Sequence, residues 1–144
     1  MKNVEIFTDG ACKGNPGPGG WGAVLRYGTA EKEISGGQPH TTNNRMEMLA
    51  VIEALKCLKE PCGVTLYSDS QYVCNSVNNG WVYNWKAKNW VKKGEAVPNT
   101  DLWIEMLALL ERHSVKFVWV RGHNGHPENE RCDRLAVAAA EKYR

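Results

Sequence analysis

At 144 residues, 42% hydrophobic and 24% charged, the chain is sized for one domain with a full core and is too apolar for disorder. Its net charge of +2 names no partner, no window approaches the ~18 unbroken apolar residues of a membrane span, and "MKNVEIFTDG" holds no signal-peptide apolar run, so a cytoplasmic protein without a membrane partner is expected. Five cysteines, an odd count with no C-x-x-C pair, argue against a disulfide framework and a structural zinc site.

Residues 3–9, "NVEIFTD", read as a strand. "GACKGNPGPGG" follows and is too rich in Gly and Pro for a regular element. Within 17–22, "GPGGWG" formally matches a dinucleotide-binding pattern, but it leads into a strand and not a helix, which rejects that reading. "WGAVLRY" (21–27) and "EKEISGG" (31–37) are two more strands joined by a turn at Gly28. Residues 43–58 carry a helical period, with Met48, Val51, Ile52, Ala54, Leu55 and Leu58 on one arc. Glu47 falls inside that arc. A buried, unpaired carboxylate is costly, and this helix alone favours a salt bridge or a capping interaction near its start.

"GVTLYSD" (63–69) is a fourth strand, with a short helix from Ser70. Residues 79–95 are aromatic and basic and begin as a helix, and within 80–97 four lysines face one glutamate, so an anionic partner should meet this segment. "TDLWIEMLALLERH" (100–113) is an amphipathic helix with Thr100 or Asp101 as its N-cap. "VKFVWVRG" (115–122) is a fifth strand, and 126–144 a last helix with Pro127 in its first turn.

Three consecutive strands can form an antiparallel meander, and two strands reached by crossover helices should run parallel to the first. The expectation is an α/β fold, a five-stranded mixed sheet with helices on both faces, forming a single domain over 1–144. "VEIFTDG" and "VTLYSDS" both end in a hydroxyl residue and an aspartate, Asp9 and Asp69. On adjacent parallel strands both would emerge at the carboxyl edge, where ligands of α/β sheets bind. Glu47 points toward that sheet, and Asp133 lies early in the last helix. Four clustered carboxylates without His or Cys suit Mg²⁺ or Mn²⁺, and a pair of such ions is the usual device for in-line phosphoryl displacement.

"FTDGACKGNPGPGGWGAVLRY", "TTNNRMEM", "SDSQYV", "NWKAKNW" and "VRGHNGHPENERCDRLA" together resemble type 1 ribonuclease H in its bacterial stand-alone form. The motifs are collinear and span nearly the whole chain. The resemblance implies the ribonuclease H-like fold and an endonuclease that hydrolyses the RNA strand of RNA/DNA hybrids, leaving 5′-phosphate and 3′-hydroxyl ends. It implies Asp9, Glu47, Asp69 and Asp133 as the catalytic metal ligands, holding two Mg²⁺ ions with Mn²⁺ able to substitute and Asp9 bridging them. That gives a second account of the inward Glu47.

The same resemblance implies that His123 assists proton transfer or product departure. A solvated loop histidine is the plain alternative, although a pKa near 6.5 suits a shuttle. Cys12 and Asn15 in the glycine-rich turn, with Asn43, Asn44 and Gln71, are implied to meet the minor groove and its 2′-hydroxyls. Short amides both donate and accept, as a 2′-hydroxyl requires. Helix capping accounts equally well for Asn43 and Asn44. Thr42 and Asn99 match positions that grip a DNA phosphate, and Arg45 stands near them, free to form a surface ion pair instead.

Trp81, Trp85 and Trp90, interleaved with Lys86 and Lys88, match the family's substrate handle, here at about 79–97. Against Leu102, Trp103 and Met106 they could equally form a small satellite core. The partner is then an RNA/DNA hybrid and the chain a monomer. The rivals are a recombination nuclease of related fold and a hybrid-binding module with a dead site. Four retained carboxylates argue against the second, because they repel phosphate unless metal bridges them.

Overall fold

In the computed structural model, which describes residues 1–121 and 126–144, the first three strands form the expected meander. Strand β1 (Lys2–Cys12) pairs antiparallel with β2 (Gly17–Tyr27), and β2 with β3 (Ala30–Thr41). Helix α1 (Asn43–Lys56) crosses to β4 (Cys62–Ser68), which runs parallel to β1. Then come α2 (Gln71–Asn78), α3 (Trp81–Ala87), a hairpin of β5 (Val91–Lys92) and β6 (Glu95–Ala96), and α4 (Thr100–Arg112). Strand β7 (Ser114–Trp119) joins β4 in parallel, and α5 (Pro127–Glu141) follows. The large sheet has the order β3-β2-β1-β4-β7.

Side chains alternate across each strand, so each strand feeds two layers. Val4 and Ile6, Ala23 and Leu25, and Val64 and Leu66 pack with the inner faces of α1, α2 and α4, around the fully buried Trp103 and Met106. Phe7 and Val24 pack on the opposite face with Cys132 of α5. The five-stranded mixed sheet with helices on both faces is therefore present. No helix among the described residues is long and apolar enough to cross a membrane.

The glycine-rich stretch departs from expectation. It is not irregular throughout, since β1 continues to Cys12 and β2 begins at Gly17. The reason lies in helix packing. A Cβ at Gly20 would run into the Ala136 carbonyl and lie 2.5 Å from the Ala140 nitrogen, both in α5. The missing side chains let α5 sit directly on β2, and the close approach outweighs glycine's poor strand propensity. Gly20→Ala should therefore destabilise the protein by about 1–3 kcal/mol, read as a lowered urea midpoint at unchanged slope.

Two other expectations are corrected. Neither Thr100 nor Asp101 caps α4. Asn99 holds the N-cap position with a left-handed φ of 62° and no side-chain capping bond, and Thr100 donates instead to the Val97 carbonyl at 2.6 Å. Residues 91–96 form a hairpin that a two-residue pairing is too short to announce by periodicity.

Candidate active site

The parallel register pairs Thr8 with Ser68, so Asp9 and Asp69 leave the sheet side by side at its carboxyl edge. Glu47 enters from the first turns of α1. One carboxylate oxygen from each of Asp9, Glu47 and Asp69 lies within 4.8 Å of the others. Asp9 and Glu47 are 5% and 3% exposed, and Asp69 is half-buried. Gly10 makes the approach possible. A Cβ there would stand 2.5 Å from the Glu47 nitrogen and 2.9 Å from Glu47 Oε1. The Gly10 N–H also donates to Asp9 Oδ1 at 2.9 Å, fixing that carboxylate.

Asp133 lines the same cavity but stands outside the close group of three. It is carried there by α5, which is anchored where the Cys132 thiol donates to the Phe7 carbonyl at 3.2 Å and where Arg26 binds Glu128 at 2.9 Å. The cavity, of about 440 Å³, is also lined by Asn43, Asn44 and Gln71.

Burial dominates the electrostatics. It pushes the Asp9 carboxyl up to about 8, and the negative Asp69 and Asp133 push the same way, against the bonds to Glu47 and to the Gly10 N–H. Burial also raises Glu47 well above the ordinary carboxylate range, with Asp9 and Asp69 adding to it. Glu47 Oε1 is buried and has no hydrogen-bond partner among the described residues. Among the described residues, neither a salt bridge nor a cap holds Glu47. An orphaned acceptor among crowded carboxylates, all hard oxygen donors, fits a divalent cation of the Mg²⁺ type.

The remaining expected residues fall into three places. At the start of α1, Thr42 is the N-cap, accepting from the Arg45 N–H at 3.3 Å, so the cap belongs to neither Asn43 nor Asn44. The Asn43 N–H donates to Asn15 Oδ1 at 3.0 Å, which ties the glycine-rich turn to the helix. The Cys12 thiol lies 3.4 Å from the Thr41 carbonyl. Beside α4, Arg45 forms a forked ion pair with Asp101 (2.7 and 3.0 Å) and also reaches Asn99 Oδ1 at 3.3 Å.

The aromatic segment divides between core and surface. Trp85 meets the buried Trp103 edge-on at 6.2 Å, and Trp90 is half-buried against the same core. Trp81 is 47% exposed and shares a groove with Asn84, Trp85 and Lys92. Lys88 lines an adjoining groove with Lys92 and Lys93, while Lys86 lies 3.7 Å from Glu111. His123 lies outside the described residues.

Two further cavity residues are not singled out in the sequence, although Tyr72 sits inside "SDSQYV". Trp119, at the end of β7, donates its indole N–H to the Asp69 carbonyl at 3.1 Å. Tyr72 lines the cavity next to Gln71. An aromatic at a strand end and one in a short helix look like ordinary packing residues in a sequence.

A model of the family described as RNase H matches residues 1–141. Ribonuclease H of Nitratidesulfovibrio vulgaris (strain Miyazaki F) is 62% identical over 141 residues, covering 97% of this chain and 90% of that one. Ribonuclease HI of Pasteurella multocida is 58% identical over 142 residues, covering 98% and 92%. Among solved structures, LC9-RNase H1, a type 1 RNase H with the type 2 active-site motif, superposes with a TM-score of 0.90 at 32% identity, covering 100% of this chain and 74% of that one. LC11-RNase H1 in complex with RNA/DNA hybrid shares the fold, with a TM-score of 0.75 at 24% identity over 96% and 97% of the two chains.

Proposed function

The chain belongs to the RNase H family, and on that premise we propose that it cleaves the RNA strand of RNA/DNA hybrids endonucleolytically by two-metal-ion catalysis, leaving 5′-phosphate and 3′-hydroxyl ends. The observation that carries the reading is the buried group of Asp9, Glu47 and Asp69, with its orphaned Glu47 oxygen. Asp9, Glu47, Asp69 and Asp133 would hold the ions, Mg²⁺ by donor chemistry with Mn²⁺ able to substitute. Bound there, the pair supplies an activated water as nucleophile and stabilises the leaving 3′-oxygen.

The chain's own groups position the duplex. Asn43, Asn44 and Gln71 ring the cavity and can donate to and accept from 2′-hydroxyls, which distinguishes the RNA strand. Cys12 and Asn15 bring the glycine-rich turn against the same groove. Thr42, Arg45 and Asn99 form a separate grip for a DNA-strand phosphate. His123 is the proton shuttle of this scheme. The segment at about 79–97 grips the DNA strand as part of one domain, with Trp81, Trp85 and Trp90 beside Lys86 and Lys88. A monomer acting in the cytoplasm completes the reading.

The handle yields an expected contrast. Trp81→Ala should weaken hybrid binding about five- to tenfold with an unchanged melting temperature, since this indole is exposed. Trp85→Ala should lower the melting temperature as well, because it opens a void against Trp103. Binding titrations and thermal melts of both variants check this.

The function itself is tested with end-labelled RNA/DNA, RNA/RNA and DNA/DNA duplexes in Mg²⁺. Cleavage confined to the RNA of the hybrid is expected, with products that a kinase labels only after phosphatase treatment. Cut DNA would move the chain to the recombination-nuclease class, and 2′,3′-cyclic phosphate ends would exclude attack by water.

A further inference from the structure

Tyr72, early in α2, lies between the carboxylate cavity and the handle. Its ring packs on Trp103 with centroids 5.6 Å apart, and Trp103 in turn meets Trp85. Its hydroxyl belongs to a hydrogen-bond chain whose polarity is forced at every link. Trp103 Nε1 can only donate, and lies 3.1 Å from the Tyr72 oxygen. Arg45 can only donate, and its Nη1 lies 3.3 Å from Asn99 Oδ1, which sets the amide's orientation. Asn99 Nδ2 therefore donates to the Tyr72 oxygen, at 3.2 Å. A phenol oxygen has two lone pairs and one hydrogen. Both lone pairs are used, and among the described residues the O–H has no acceptor. Each bond accepted polarises that remaining donor further.

We propose that Tyr72 is a substrate-binding residue. Its O–H donates to a non-bridging oxygen of the DNA-strand phosphate gripped by Thr42, Arg45 and Asn99, and its oxygen holds the Asn99 amide in place for the same phosphate. The assignment rests on the hybrid-cleavage reading above. A phosphate fits better than a neutral acceptor because cationic Arg45 belongs to the same chain of bonds. Asp101 already occupies two guanidinium positions of Arg45, so neutral donors must supply much of the grip.

The test is a scan of hybrids carrying one uncharged methylphosphonate at each DNA position in turn, cleaved by the wild type and by Tyr72→Phe below their melting temperatures. On unmodified hybrid, Tyr72→Phe should raise KM about tenfold or more and leave kcat within about threefold. The wild type should lose affinity at one DNA position where Tyr72→Phe loses little further. A purely structural tyrosine would give equal losses for both proteins at every position, which would overturn the assignment. A second readout needs no Tyr72 variant. With ¹³Cζ-tyrosine label in an Asp69→Asn background, the Tyr72 signal should move on binding unmodified hybrid and move less with the modified one. An unmoved signal would also overturn the assignment. If the wild type fails to cleave unmodified hybrid at all, the functional reading falls first, and the two failures are thereby distinguished.

Discussion

Replacing Asp9 with Asn is expected to lower cleavage of the hybrid's RNA strand by at least about 10³-fold while the protein stays folded. Asp9 supplies one of the three clustered carboxylates, and its neighbour Gly10 holds one of its oxygens. An amide keeps that shape and that hydrogen bond, but it removes a charge that a bound cation would need. Loss of several kcal/mol of transition-state stabilisation should then appear in kcat, not in hybrid affinity, because the proposed handle and phosphate grip are untouched. Single-turnover cleavage beside a direct binding assay checks both halves. Full activity in the Asp9→Asn variant would remove Asp9 from the mechanism.

Metal-free protein should lose stability as pH rises, by on the order of 3–5 kcal/mol between pH 4 and pH 9. Asp9 is held at about 8, above the ordinary carboxylate value of 3.8, chiefly by burial. Its neutral form suits the fold, so its contribution is fully present below about 4 and is lost as pH climbs through about 8. Glu47 is raised in the same direction and for the same first cause. A divalent cation reverses the preference, because it binds the charged forms and draws their protons off. Thermal melts in EDTA and in Mg²⁺ at pH 5.5 and 8.5 read the effect. In EDTA the melting temperature should fall by about 10 °C over that range, and Mg²⁺ should restore most of it. Asp9→Asn should melt above the wild type in EDTA at pH 8.5. A flat EDTA profile would mean that the cluster carries no such strain.

What could be read from the sequence follows from what is local. Two strands of like pattern, each ending in hydroxyl and aspartate, put Asp9 and Asp69 at one edge, and a helical period put Glu47 inward. Both signals have a range of a few residues, and both agree with the structure. The glycine stretch was opaque because its reason lies in α5, more than a hundred residues away. Asn99 looked like a residue before a helix, yet its left-handed backbone and its bonds to Arg45 and Tyr72 are tertiary facts. Trp119 and Tyr72 are hydrogen-bonded to partners 50 and 31 residues distant, which no spacing within a motif reports. Lys86 read as a free cation for a nucleic acid and in the folded chain faces Glu111, whereas Arg45, for which a surface ion pair was the alternative, makes that pair with Asp101.

On the proposed function, Glu47 is buried because it holds a cation that the cleavage of RNA requires. The Mg²⁺ dependence of single-turnover cleavage of a labelled RNA/DNA hybrid, compared between the wild type and Glu47→Gln, decides whether that is so. The amide fills the same space, so packing is preserved while a ligand charge is lost. In the variant, half-maximal cleavage should need about tenfold more Mg²⁺, or the maximal rate should collapse. An unchanged Mg²⁺ curve of equal amplitude would contradict that role and leave Glu47 as a residue of the core.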